Sequence, residues 1–545
     1  MAYAQITAPG INSLTSIPGN FVNIVFGAGV RTSATNVLPV VFIGDAQGNS
    51  ASDGSTIYGP DTTTPCRSFQ DAQVLFGKSS ELTQAARIFY ATNTQTPVYF
   101  IPISNHTSLG AVTATVSGTA ATITNTLNLF VNTYQIQVGI SVGDTPTIVA
   151  KNAQLALNML NREFTALATV GALAITAGSG GVGNTPKVDA ILAQADTGVG
   201  GLSVSLGSVT VGATGTSYAA SIGTAITTLG QNKFYYQVLL SGSFDDAAVS
   251  VTANTVSFGT AIEALVSSIN VQSLPLNDNR CRGFAGARMK STDAIYTTQF
   301  APGSATTPGL VSKATVDSPR FEAVWAPYYD GTTTEMIASY VAMVSLVEST
   351  MPVSGALNLN GMGLANINSV PTQGLLKAPR SRYSESITTY NTALNAGVTC
   401  IGYKAGVGYL MRRVTTDAWD NVNGVAFFNI RDPHKVFVLD RFVVDLQNVL
   451  GQWMTGKLIG DDPVDPNAPL PPNTITPKAV KAGVLNLINQ YAGNALIQNA
   501  AQAIATMLIQ RNPQVQTRME LKIQLVVADI LNQMVTEVDQ TGWSL

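Results

Sequence analysis

Apolar residues along this chain follow two alternating rhythms. Residues 37–44 (VLPVVFIG) and 98–103 (VYFIPI) are short β-rich apolar runs, the first ended by glycine, as in strands buried on both faces. Between them, residues 68–90 space their apolar side chains as a helix does, so the opening predicts strand, helix, strand. The alternation resumes near residue 217. Residues 219–229 predict a helix, 236–240 a strand, 261–271 a helix, 321–327 a strand, and 335–350 an amphipathic helix stopped by Met351 and Pro352. Such units predict a multi-domain α/β fold with a mixed or mostly parallel sheet flanked by helices.

Residues 108–215 break this pattern. They are rich in Gly, Thr, Ala, Ser and Val, with almost no aromatics. Val112, Ala114 and Val116 alternate with polar residues, and 127–131 and 134–142 are further strand candidates. A helix follows Asp144 and Thr145, either of which can cap it, with Pro146 in the first turn and Val149, Ala153, Leu157 and Leu160 on one face. The segment predicts an inserted β-rich outer domain. It divides a core formed by residues 36–107 and 216–385.

The two ends differ from the middle. Residues 1–35 are punctuated by Pro9-Gly10 and Pro18-Gly19 and hold one short apolar run, Phe21, Val22, Ile24, Val25 and Phe26, too thin for a core of its own. This predicts an extended arm. A third α/β region spans 386–518, with strand candidates at 407–414 and 436–439, a proline-dense loop at 461–477, and helices from Val480 to Tyr491 and over 494–510. Met519, Leu521, Ile523, Leu525 and Val527 then stand apolar in a half-buried strand for which the tail offers no obvious partner, so 519–545 is expected to be a second arm.

Composition sharpens this picture. Charged residues are 11% of the 545, against roughly a quarter in ordinary domains, a surface poorly protected against association and suited to being covered by copies of itself. A net charge of -3 without a block of one sign predicts no grip on nucleic acid or on an acidic membrane. No apolar run reaches the length of about 18 residues needed to cross a bilayer, and the first residues lack the basic-then-apolar pattern of a secretion signal. Cys66, Cys281 and Cys400 are widely spaced and odd in number, without CxxC, so reduced thiols in a cytosolic assembly are the expectation.

Candidate chemistry is sparse. His106 lies in a polar loop and His434 follows Arg431-Asp432-Pro433, a turn with scope for a local ion pair; neither has a nucleophile or metal-ligand partner in the sequence. Gly178, Gly180 and Gly183 match GxGxxG, but no helix pattern follows immediately, so a flexible turn is expected in place of a phosphate cradle. Asp245-Asp246 and Asp461-Asp462 are expected to be solvated turn carboxylates. Arg412 and Arg413 fall in a strand-like stretch, so their side chains point opposite ways. One of them can meet an acidic partner surface or the tube while the other supports the core, and an ordinary ion pair within the chain is the equal alternative. No catalytic residue, cofactor or metal is expected.

Several stretches together resemble the tail sheath proteins of contractile phages, in particular the Mu-type branch. Residues 65–82 (PCRSFQDAQVLFGKSSEL) resemble the family segment in which a helix ends in Leu-Phe-Gly, with Gly77 at the left-handed closing position. The insert, with its strands at 112–118 and 127–131 and its 178–184 loop, resembles the outward-facing domain of that branch. Residues 394–398 followed by 409–416 are similar to the family's "G-V … R-x-V-T-T" element, and the last strand resembles the closing arm. The opening departs from the family's Pro-Gly-Val-Tyr, since here Pro18-Gly19 is followed by Asn20 and Phe21.

The resemblance implies a virion subunit, assembled in the host cytoplasm, that polymerises as a helical tube around the tail tube and contracts to deliver the genome. Its implied partners are copies of itself, the tail tube protein, and baseplate and tail-terminator or neck proteins, with no direct nucleic acid and no membrane insertion. Terminal arms would add strands to neighbouring subunits. Two other readings remain open from the residues: another self-assembling virion or surface-layer protein, and an α/β hydrolase or nucleotide-binding protein.

Overall fold

The structure, a computed structural model, describes residues 38–47, 52–103, 106–180, 184–214, 218–240 without 231, 258–291 without 276 and 289, 316–350 without 328 and 330, 359, 362–368, 385–463 with short interruptions, 465 and 473–529. The order begins β1 (Val40–Asp45), α1 (Phe69–Phe76), α2 (Glu81–Thr92) and β2 (Val98–Ile103). An insert follows: β3 (His106–Ser117), β4 (Asn125–Val131), β5 (Tyr134–Ile140), α3 (Pro146–Met159), β6 (Phe164–Thr169), β7 (Ala172–Gly180), β8 (Val188–Leu192), β9 (Ser203–Leu206) and β10 (Ala213–Thr214). The chain then returns through α4 (Tyr218–Gly230), β11 (Tyr236–Leu239), α5 (Phe258–Gln272), β12 (Arg282–Ala287), β13 (Phe321–Trp325), α6 (Thr333–Thr350), β14 (Gly363–Asn368), α7 (Ile387–Asn395), β15 (Val398–Lys404) and β16 (Val407–Arg412). The tail holds β17 (Trp419–Asp420), β18 (Val425–Ala426), α8 (Pro433–Met454), β19 (Leu458–Ile459), β20 (Thr474–Ile475), α9 (Pro477–Gly493), β21 (Ile497–Gln498), α10 (Ala500–Thr506), β22 (Leu508–Arg511), β23 (Met519–Lys522) and β24 (Val526–Val527).

The fold is α/β, built on an eight-stranded sheet of order β14-β16-β15-β13-β12-β11-β1-β2. From β2 to β15 all pairings are parallel, and the hairpin β15–β16 with β14 closes one side antiparallel. Both faces are covered, as parallel strands require. Val40 and Phe42 of β1 point into a core shared with α1, α2, α6, α8 and α9, while Val41 and Ile43 point into one shared with α4 and α5. The sheet therefore runs past residue 385: β13 and β14 precede the expected division at that point, while their sheet neighbours β15 and β16 follow it.

Several expectations about single elements are also corrected. The helical stretch at 68–90 is two helices, each capped by a serine, Ser68 and Ser80. Gly77 between them has φ 87° and ψ 147°, a backbone only glycine adopts easily but not the left-handed closing position. Residues 436–439, expected as a strand, lie inside α8, because a short apolar run has no period of its own to separate a buried helix from a strand. The helix expected over 494–510 is broken by Ala495 and Asn499, both at positive φ, and only α10 remains of it. The proline-dense stretch is not all loop either: β20 pairs with β19 in parallel, and Pro477 opens α9 with Thr476 as its cap.

The insert has its own apolar core, with Leu129, Val131, Val149, Ala153 and Ile175 at its centre. Its strands form two sheets, β5-β4-β8 and β10-β3-β7-β6 with β9 also on β3, and β8 packs beside β9. Helix α3 packs against both β5 and β6 and fills the gap between the two sheets there.

Candidate assembly edges and the charged interior

The residues expected to form the amino-terminal arm, Phe21 to Phe26, lie outside the described residues. The carboxy-terminal strand is not the unpaired segment expected. Met519 and Leu521 lie in β23, which pairs antiparallel with β22 of the same chain, Ile509 opposite Leu521 and Arg511 opposite Met519. Val527 lies in β24, opposite Ile497 of β21. Ile523 and Leu525 sit between the two short strands, half-buried against the core of α8 and α9. The local cause is the turn after Pro513. Asn512 Oδ1 accepts the amides of Gln514 and Val515 at 2.8 and 3.0 Å, and its Nδ2 donates to buried Glu520 at 2.7 Å. That turn reverses the chain and sets β23 against β22. Each of these two strands keeps one edge with no strand partner among the described residues.

Arg412 and Arg413 do point apart. Arg412 is part-exposed and pairs with Asp432 at 3.3 Å, so Asp432 serves a partner distant in sequence. Arg413 is buried and cannot serve as a tube-facing or inter-subunit charge. It donates to Glu322 at 2.8 Å and to Glu348 at 2.8 Å, while Arg282 bridges the same two carboxylates from β12. Tyr340 of α6 donates to Glu322 at 2.6 Å and Tyr236 of β11 to Glu348 at 2.7 Å. Two cations and two anions thus stand together under α6. Burial opposes ionisation of Glu348, but Arg282 and Arg413 outweigh it and hold its carboxyl below the usual range. A second buried pair joins Arg320 to Asp440 of α8 through bonds of 2.7 and 2.6 Å, with the Tyr235 hydroxyl donating to Asp440 at 3.1 Å.

The glycine-rich motif also has a structural use. Gly178 and Gly180 end strand β7, so they are not a flexible turn, and residues 181–183 lie outside the described residues. A Cβ at Gly178 would sit 1.9 Å from the Ser79 carbonyl oxygen, so only glycine lets β7 cross the start of α2. There, Ser179 Oγ accepts the Glu81 amide at 2.9 Å and Asn184 Nδ2 donates to the Glu81 carboxylate at 2.5 Å.

Further along this seam, Arg87 of α2 reaches Glu335 of α6 at 2.5 Å and the Tyr134 hydroxyl at 3.0 Å, and Tyr134 donates to Glu335 at 2.7 Å. Glu163, one residue before β6, is buried beside them and accepts from Asn132 Nδ2 at 2.6 Å. Burial first, then the Glu335 charge, push its carboxyl up to about 7. Nothing in the sequence marked Glu163, Glu335, Glu322 or Glu348, because their partners lie far along the chain. The alternation around Arg412 and Arg413 was the one visible signal.

His434 is buried with Nε2 3.2 Å from the Ala528 carbonyl, and His106 opens β3. The three cysteines are buried and free, and burial pushes the thiols of Cys66 and Cys281 up to about 12, away from reactivity. Asp462 accepts the Lys478 amide at 2.9 Å at the start of α9 and Asp461 pairs with Arg511 at 3.2 Å, so neither is merely solvated; Asp245 and Asp246 lie outside the described residues. Among the described residues no cluster of His, Cys, Asp or Glu suits a metal ion, and no helix is long and apolar enough to cross a membrane.

No family model matches the chain, and no curated protein does. Among solved structures it is similar to a sheath tail protein from Listeria innocua, with a TM-score of 0.44 and 9% identity over 92% of this chain and 94% of that one. It is also similar to a sheath tail protein from Desulfitobacterium hafniense, with a TM-score of 0.42 and 10% identity over 93% of this chain and all of that one (100%).

Proposed function

We propose that this chain is the sheath subunit of a contractile phage tail, a structural protein without a catalytic site. In this reading it polymerises as a helical tube around the tail tube, meets baseplate and neck proteins at the tube's ends, and contracts to drive genome delivery. The virion tail is its location, after assembly in the host cytoplasm. The observation that carries the reading is the carboxy-terminal sheet. A ladder of two short strands is marginal alone and is secured by a third strand or by a helix beneath it; β22 packs on α9, which leaves the outer edges of the ladder open to a further strand. Both outer edges of β22 and β23 lack a strand partner among the described residues. In this proposal a terminal arm of another copy, either the apolar run at 21–26 or the end of the chain beyond β24, lends a strand there, giving main-chain bonds for attachment and side-chain pockets for register. Head-to-tail additions of this kind propagate as an open helix.

Contraction in this scheme is rigid-body movement of subunits between two packings. The free energy released is the difference between the two sets of interfaces, and no nucleotide enters. The low charge of the sequence and its stretches resembling sheath proteins support the same reading. Electron microscopy of the purified full chain tests it. Hollow helical tubes are expected, and removal of residues 530–545 should abolish them while circular dichroism and the thermal transition of the body stay unchanged. Dispersed monomers at high concentration from the full chain would overturn the reading. Tubes that survive both this truncation and removal of residues 1–37 would overturn the strand-exchange mechanism.

A further inference from the structure

The insert contains an edge strand treated quite differently from β22 and β23. Strand β6 pairs with β7 on one side, from Phe164 opposite Ala177 to Thr169 opposite Ala172. On its other side no strand follows among the described residues, and α3 takes that place. Asn158 Oδ1 accepts the Ala166 amide at 2.8 Å, and Asn158 Nδ2 donates to the Ala166 carbonyl at 2.9 Å. Gln154 Oε1 accepts the Ala168 amide at 3.0 Å, and Ser79 Oγ donates to the Phe164 carbonyl at 3.4 Å. In an antiparallel ladder, one residue of each bonded pair exchanges both an N–H and a C=O with its opposite number. The Asn158 carboxamide makes that same pair of bonds, standing in for the peptide group of an absent neighbouring strand.

The placement follows from the helix. Gln154 and Asn158 are four residues apart and share a face. Val149, Ala153 and Leu157 anchor another face in the insert's core, and Leu155 and Met159 are exposed. The tight return at Asn161, with φ 50°, brings the chain straight from α3 into β6, so helix and strand stay side by side. An uncovered edge strand is a template for pairing with another chain, and natural sheets commonly cover or interrupt such edges.

We propose that Asn158 and Gln154 form an edge seal that prevents the β6 edge of the insert from accepting an extended strand of a second copy. The seal stands whether or not the chain builds tubes. If it does, the seal keeps an exchanged arm from being captured at the β6 edge.

The test uses the full chain and a fluorescent peptide with the sequence of residues 164–169 as the strand probe. Hydrogen–deuterium exchange is read over 164–169, and peptide binding by anisotropy, for wild type, Asn158→Ala, Gln154→Ala and the double variant. The expected result is exchange in this segment faster by roughly five- to tenfold in the double variant, the scale of one net hydrogen bond. Peptide binding should be absent in wild type and present in the double variant, and the bound peptide should restore protection. Asn158→Asp keeps an acceptor for the Ala166 amide but loses the donor, and should fall between. Should the double variant not fold, Gln154→Ala alone still reports on the Ala168 amide. The proposal is overturned if wild type binds the peptide as well as the variants do. It is equally overturned if exchange is unchanged, or if the segment opens and no peptide binds.

Discussion

At the scale of single residues, the two neighbouring arginines show how far sequence reasoning reaches. Alternation along a strand places Arg412 and Arg413 on opposite faces, and they are. Which of them is indispensable depends on Glu322 and Glu348, 91 and 65 residues away, and no local pattern reports that. Removing Arg413 leaves two carboxylates under α6 with Arg282 alone to balance them. Arg413→Met should therefore cost about 3–5 kcal/mol, the usual penalty for breaking a buried pair from one side. Arg412→Ala, which frees only part-exposed Asp432, should cost about 1 kcal/mol or less. Urea unfolding of the two variants checks the contrast, and equal losses would contradict it. Glu163 offers a second residue-level prediction. Its carboxyl is raised from 4.5 to about 7 by burial and by Glu335, with Asn132 and Arg87 opposing the shift. The folded state thus holds the proton more tightly than the unfolded state. The associated stability is complete below pH 4.5 and is lost as the pH rises through about 7, a swing of ~3 kcal/mol. Glu163→Gln should remove that segment of the stability–pH curve, and a variant curve parallel to wild type throughout would show that Glu163 does not titrate there.

At the scale of elements, what was legible is what carries a strong period or a strong stop. Strands β1, β2, β11 and β13 are dense in large apolar side chains, and helices α4, α5 and α6 keep a helical spacing over three turns or more, so the parallel core could be anticipated. Strand β12 could not. It stands between β11 and β13, yet its sequence is RGFAGA, with one large apolar side chain. The neighbours explain the composition: a Cβ at Gly283 would meet Ile269 at 2.4 Å and Phe321 at 2.7 Å, and one at Gly286 would meet Met336 at 2.7 Å. Small residues there are the space that α5 and α6 need to close on the sheet, a reason that becomes visible only when the layers are assembled. The tail failed for a different reason. Alternation at 519–527 correctly marked extended backbone, but alternation is silent about partners. The turn built on Asn512 decides that β23 returns to its own chain.

At the scale of the whole molecule, the location of the charges matters more than their number. Only 11% of the chain is charged, and Arg282, Arg320, Arg413, Glu322, Glu335, Glu348 and Asp440 are among the charged residues buried against one another. The surface is therefore poorer in charge than the composition alone suggests. If copies assemble as proposed, their contacts must draw mainly on apolar burial and main-chain bonds at strand edges, since few exposed ion pairs are available to supply them. These two kinds of attraction respond differently to salt. Between 0.1 and 1 M ionic strength the screening length falls from about 10 Å to about 3 Å, which removes most of the attraction between exposed charges but leaves apolar contacts intact. The buried pairs under α6 and α8 are shielded from that change, so the body of the subunit should be equally indifferent. Tubes formed by the full chain should accordingly sediment with the same yield across this range. A yield that collapses by 1 M, with the thermal transition of the subunit unchanged, would mean that charged contacts between copies hold the assembly, contrary to a surface read as neutral and strand-joined.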